Sequence, residues 1–236
     1  MPSEKEIPTR LDSVLHVIYL LFSEGYYSRT HQEILRKDLC LEGLRLGLLL
    51  TENGKTNLPK TNALMALMCF HASRFDARQT VDDYFVPYHE QDEKLWDTEL
   101  INQGIHFLDG AMRGNELSSY HIEAQIAYRH CQRDGTPEKW EAILQLYDQL
   151  QLVSYSPSAA LNRIFALYKV HGWKIALAEA ETLRVENNHF YFILLGELYK
   201  NTDLLKARAS FQRAVLLAKT ETEKEYIRKK IKSFNL

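Results

Sequence analysis

Leucine, isoleucine, alanine and the aromatic residues return every three and four positions along most of the 236-residue chain, and strict alternation of apolar and polar residues is scarce. That period is helical, and the punctuation predicts about ten or eleven helices. A first helix is expected from Asp12 or Ser13 through Val14, Leu15, Ile18, Leu21 and Phe22. Gly25 should then stop it in a left-handed turn and leave Tyr26 and Tyr27 in the connection. A second helix is expected over about 31–53, with Gly43 and Gly47 one turn apart, a spacing that suits close approach of a neighbouring helix. A third follows Pro59 and carries Ala63 to Phe75. The stretch 79–97 breaks the period: Val81, Tyr84, Phe85, Val86 and Tyr88 fit a short ribbon around Pro87, after which Asp92 is expected to cap a helix through Trp96, Leu100 and Ile101.

From Leu117 onward the helices are expected in pairs, over about 118–132, 138–151, 158–171, 174–185, 189–200, 203–218 and 221–234, with short turns that imply antiparallel neighbours and a right-handed stack of hairpins. Gly196, Tyr199, Ala207, Phe211 and Ala214 in this part resemble the pattern of a tetratricopeptide repeat, and Tyr168, Gly172, Ala176, Ala178 and Ala180 form a weaker copy. The expected fold is therefore all-α, helical hairpins stacked as a tetratricopeptide-like solenoid, with a small irregular or ribbon-like insertion near 79–91. Along the chain this divides into a linker at 1–9, an N-terminal helical part at 10–116 and the repeats at 117–236, in one continuous domain.

Composition narrows the partners. The chain has 45% hydrophobic residues, enough for a packed core, and 29 basic against 31 acidic residues. A net charge of -2 is the wrong sign for affinity built on phosphate neutralisation, so direct nucleic-acid binding is not expected. The polar start MPSEKEIPTR and the short apolar runs predict neither a leader peptide nor a membrane span, which gives a cytoplasmic reading. Three dispersed cysteines, Cys40, Cys69 and Cys131, are expected as buried thiols.

No catalytic pattern emerges. Cys69 with His71, and His130 with Cys131, lack the spacing of a metal-binding pair on one helix face, and no phosphate loop, nucleophile elbow or dinucleotide fingerprint is present. The acids Glu90, Asp92, Glu93 and Asp97 around Trp96 admit acid–base chemistry in principle, but such a run more often marks a helix start. No cofactor or metal is expected, and the chain is read as noncatalytic. The basic last helix, with Lys224, Arg228, Lys229, Lys230 and Lys232, reads as a solvated cap of the stack or, more sharply, as a docking patch for an acidic surface.

Six segments then occur in an order that resembles one family: VIYLLFSEGYY at 17–27, DLCLEGLRLGLLL at 38–50, EQDEKLWD at 90–97, YHIEAQIAYRHC at 120–131, WEAILQLYDQL at 140–150 and SPSAALNRIFAL at 156–167. They resemble the tetratricopeptide-like C-terminal extension of bacterial extracytoplasmic-function (ECF) RNA polymerase sigma factors, with Ser23 where that family more often has asparagine. The resemblance implies a regulatory domain that modulates transcription initiation through protein–protein contacts. Its implied partners are the sigma DNA-binding modules, the RNA polymerase core, or both. Those modules are absent from this chain, which reads as an isolated domain or a truncated product. Phe22, Glu24, Gly25, Tyr26, Glu90, Asp92, Trp96 and Asp97 are the candidate partner-binding residues, with buttressing of the junction between the N-terminal helices and the repeats as the other reading of the same positions. A free-standing tetratricopeptide-like adaptor that binds a peptide is the alternative function.

Overall fold

The computed structural model describes residues 6–27, 35–78, 86, 88–133 and 135–232. Among these residues all regular structure is helical: eleven α-helices, two single turns of 3-10 helix and no strand. The chain divides into two compact units with the boundary after residue 133. Among the described residues no helix is long and apolar enough to cross a membrane.

The first unit contains α1 (Ile7–Tyr26), α2 (Lys37–Thr51), α3 (Pro59–Ala72), α4 (Thr98–Ala111) and α5 (Ser119–Cys131). Its centre is α3, buried on every side: Ala63, Leu64, Met65, Ala66, Leu67, Met68, Cys69 and Phe70 are all at most 1% exposed. A helix apolar all round must be surrounded, and here α1, α2, α4 and α5 pack around it. Gly43 faces the backbone and Cβ of Phe22 on α1, while Gly47 faces Met65 on α3, as the one-turn spacing of these glycines predicts. The three cysteines are buried free thiols.

Four expectations are corrected here. Helix α1 opens at Ile7, within the stretch read as a linker, and so starts before Asp12. Gly25 does not stop α1: it lies inside the last turn, where a Cβ would meet the Arg36 carbonyl, the Cys40 amide and the Cys40 thiol at 2.8–2.9 Å. Its small size admits α2, and left-handed geometry is not used there; the positive φ among the described glycines is at Gly172. Asp92 caps a single 3-10 turn, Glu93–Leu95, and the following helix is capped by Asp97. Helix α5, expected to open the repeat series, packs on α3 and α4 within the first unit. Most of the expected ribbon, residues 79–85 and 87, lies outside the described residues, as do residues 1–5; Tyr88–Glu90 form a 3-10 turn.

The second unit contains α6 (Pro137–Val153), α7 (Pro157–His171), α8 (Trp173–Thr182), α9 (His189–Tyr199), α10 (Leu204–Leu217) and α11 (Glu221–Lys232). Each packs on its sequence neighbour, and α7 also meets α9, so successive hairpins stack. Side-chain caps from Thr136, Ser156, Asn188 and Asp203 start α6, α7, α9 and α10, which is why these boundaries are sharp. Thirty-one residues separate Tyr168 from Tyr199, Ala176 from Ala207 and Ala180 from Phe211, and the last two pairs are completely buried. Phe211 sits against Gly196, where a Cβ would approach the ring to 2.7 Å; the glycine is what lets α9 and α10 touch.

Candidate functional site

The candidate residues of the first unit gather where the C-terminal ends of α1, α3 and α5 meet the strap that precedes α4. Arg74 and Arg78 stand four apart just beyond α3 and are both nearly buried. The Arg78 guanidinium sits over the Tyr26 ring, 3.8 Å from its centroid, and donates to the Tyr26 carbonyl at 3.3 Å. Arg74 donates to the Tyr26 hydroxyl at 3.3 Å, contacts His71 Nδ1 at 3.2 Å, and sits 5.5 Å above the Tyr88 ring. Tyr88 in turn stacks on Trp96 at 6.1 Å, meets the His130 ring edge-on at 4.7 Å and donates its hydroxyl to the His130 carbonyl at 2.9 Å. The result is a continuous run of alternating cations and rings.

Electrostatics follow from that stack. Burial, with the Arg74 and Arg78 charges added and His130 contributing, holds the His71 imidazole well below its usual protonation range. The ring is therefore neutral, and Nδ1 accepts from Arg74. Cys40 and Cys69 are pushed up to about 12, chiefly by burial, which leaves both as inert thiols at neutral pH. A second, half-buried polar contact lies between α1 and α5, where Tyr19 donates to Glu123 at 2.9 Å and burial raises the Glu123 carboxyl.

The eight candidate residues separate into two sets. Phe22 is 2% exposed, Gly25 is buried and Tyr26 is half-buried, stacked on Phe22 and close to His71 and Phe75. Trp96 is 3% exposed. These four form the packing of the site, joined through Arg74 and Tyr88. Glu24 is half-buried, and Glu90, Asp92 and Asp97 are exposed along the strap. Asp97 accepts from the Glu99 and Leu100 amides at 2.9 and 3.0 Å, and Asp92 from the Lys94 amide at 3.0 Å. The Asp97 amide donates to Ser73 at 2.8 Å and Arg133 donates to the Glu93 carbonyl at 3.3 Å, so the strap is tied to α3 and α5.

Sequence reasoning missed Arg74, Arg78, His71, Tyr88 and His130 as members of this site. The signal was present as RFDAR at 74–78, two cations one turn apart shortly after the apolar run ALMALMCF at 63–70. Among the described residues no group of three or more His, Cys, Asp or Glu is arranged to hold a metal ion. The arrangement sets an exposed acidic strap on a largely buried base of cations and rings.

A family of unknown function (DUF6596) matches residues 10–112. An uncharacterized protein of Rhizobium meliloti (strain 1021) is 36% identical over 232 residues, an alignment that covers 96% of this chain and 54% of that protein. The chain thus spans about half the length of the curated relative it matches. No solved structure matches.

Proposed function

We propose that this chain is a noncatalytic regulatory region of an ECF-type sigma factor and modulates transcription initiation through protein–protein contacts. The observation that carries the reading is the ordered set of six segments resembling that family's C-terminal extension, which spans both helical units. The strap agrees with it: five acidic residues between positions 88 and 99 are set against the single Lys94, and Glu90, Asp92 and Asp97 are exposed. Basic surfaces that face DNA in the sigma modules are the complement such a strap would meet. The proposed partners are accordingly those modules, the polymerase core, or both, in the cytoplasm, without direct nucleic-acid or membrane contact by this chain. The similar protein being nearly twice as long leaves room for such modules in it.

The test is a quantitative binding measurement of this chain against separately expressed sigma modules and core polymerase at two salt concentrations. Salt-sensitive binding to the sigma modules that weakens on replacing Glu90, Asp92 and Asp97 by their amides is the expected result. Binding to neither partner would sink the reading and favour the free-standing peptide adaptor.

A further inference from the structure

We infer that the outward face of α10 in the second unit is a docking site for an acidic amphipathic helix of another protein. Helix α10 turns Ala207, Ser210, Phe211 and Ala214 inward. Its opposite face carries Leu205, Ala209, Gln212 and Leu216, all exposed, with both leucines at 75%. Their spacing of four, three and four is the seam along which one helix lies against another, and the seam runs about 16 Å.

The flanks of that seam are cationic. Lys206 and Arg213 border one side and Arg208 the other, with Lys219 just past the helix end, and all four are exposed. On the first side the cations stand over aromatic rings of α9, Lys206 at 5.4 Å from Tyr199 and Arg213 at 6.0 Å from Phe192. The nearby acids are already engaged. Asp203 accepts from the Lys206 amide as the cap of α10, Glu223 accepts from the Lys219 and Thr220 amides, and Glu221 pairs with Lys224 and Arg228. Among the described residues none of the four flanking cations forms an ion pair.

The preceding hairpin lacks this stripe. The matching positions of α8, thirty-one residues earlier, are Lys174, Ala178 and Glu181, mixed in charge and without a leucine. Charge also selects the occupant. A second copy docking through the same face would set cations against cations, whereas a helix with an apolar seam and Glu or Asp flanks satisfies both features at once. Duplex nucleic acid would use the cations and leave the leucines in water. The site is independent of the sigma-factor reading, since it rests on the second unit alone.

The experiment uses the intact chain and three labelled peptides of about four heptads: a leucine seam with glutamate flanks, the same seam with lysine flanks, and a scrambled acidic sequence. Fluorescence anisotropy should show binding of the first peptide only. Replacing Leu205 and Leu216 by serine should weaken it at least about tenfold, and Arg208→Glu with Arg213→Glu should shift the preference to the lysine-flanked peptide. All four positions are exposed, and circular dichroism with Leu205→Ser alone separates lost docking from lost folding. Equal binding of the scrambled peptide, or no response to the serine variants, would overturn the proposal in favour of bare charge attraction. Tighter binding to duplex DNA or to phosphatidylserine-containing vesicles would assign the face to those partners. Self-association that the serine variants abolish would assign it to a second copy.

Discussion

The two units solve the same problem, burying helices, by different chemistry. The second unit does it by repetition: small residues at the helix contacts, with Ala176 and Ala180 answered by Ala207 and Phe211, and polar side chains mostly at caps and surface pairs, the buried pair His189 and Glu223 between α9 and α11 excepted. The first unit surrounds one apolar helix and then closes its open end with arginines, histidines and rings, where Arg74 and Arg78 are almost as buried as the core. Repetition gives each hairpin a local, replaceable contribution, while a closed polar cluster ties α1, α3, α5 and the strap into one unit. The proposed regulatory surface would gain from the second arrangement, because its exposed acids stand on a base whose parts are tied to one another.

The most forceful way to probe that contrast is to empty each core. Phe22 and Phe211 are at most 2% exposed, and replacing either by alanine should cost about 3–5 kcal/mol. The outcomes should differ in extent. Hydrogen exchange in Phe211→Ala should rise mainly in α9, α10 and α11, whereas in Phe22→Ala it should rise through the whole first unit, including the strap. Equal spread in both variants would refute the distinction between replaceable hairpins and a closed cluster.

Next in size is the arginine comparison. Arg74→Ala removes bonds to the Tyr26 hydroxyl and to His71 and the contact with Tyr88, and should cost about 2–3 kcal/mol. Arg163 on α7 likewise makes two polar contacts, here ion pairs to Asp148 at 2.5 Å and to Glu179, but its partners are 50% and 39% exposed. Arg163→Ala should cost no more than about 1 kcal/mol, since exposed pairs are screened by water. Denaturant midpoints of the two variants decide it, and similar losses would mean that burial does not set the value of these arginine contacts.

These contrasts also explain what was legible in the sequence. Most helices of the second unit were legible to within two residues, because the helical period and the Gly196, Tyr199, Ala207, Phe211 and Ala214 pattern are local signals, while α8 was expected to run to 185 and ends at Thr182. The first unit was readable as helices but not as a site. Gly25 looks like a stop in one dimension, and only the approach of Cys40 shows why a small residue is needed inside the helix. Tyr88 and Arg74 lie fourteen residues apart with no periodic relation, so nothing local announces that the ring stands under the cation. Trp96 was found because it sits among acids, yet its burial against Tyr88 makes it a support of the strap rather than its exposed face.

A pH comparison sharpens the polar half of the contrast. His71 has an ordinary protonation range near 6.5 in the unfolded chain and a lower one in the folded state. The unfolded chain therefore takes up the proton first, and stability present above about pH 6.5 is lost as the pH falls toward the folded value. Glu123 works in the opposite sense: its raised folded range stabilises the protonated form, so its contribution is present at low pH and fades as the pH rises above the ordinary 4.5. His71→Gln should flatten the loss of stability below pH 6.5 without touching the Glu123 limb, and an unchanged profile would show that His71 is not titrating against folding.

The smallest effect carries the most functional weight. Asp97 and Asp203 are side-chain caps of α4 and α10, and replacing either by alanine should cost about 1 kcal/mol. Asparagine caps a helix nearly as well as aspartate, so Asp97→Asn should keep stability within a few tenths of a kcal/mol while removing one negative charge from the strap. If the strap meets a basic sigma module, Asp97→Asn weakens that binding and lowers its salt dependence, and Asp203→Asn, which changes the same charge in the second unit, does neither. If instead both asparagine variants leave binding unchanged while Asp97→Ala reduces it in proportion to its lost stability, Asp97 serves the strap only as a helix cap and the contact lies elsewhere on the chain.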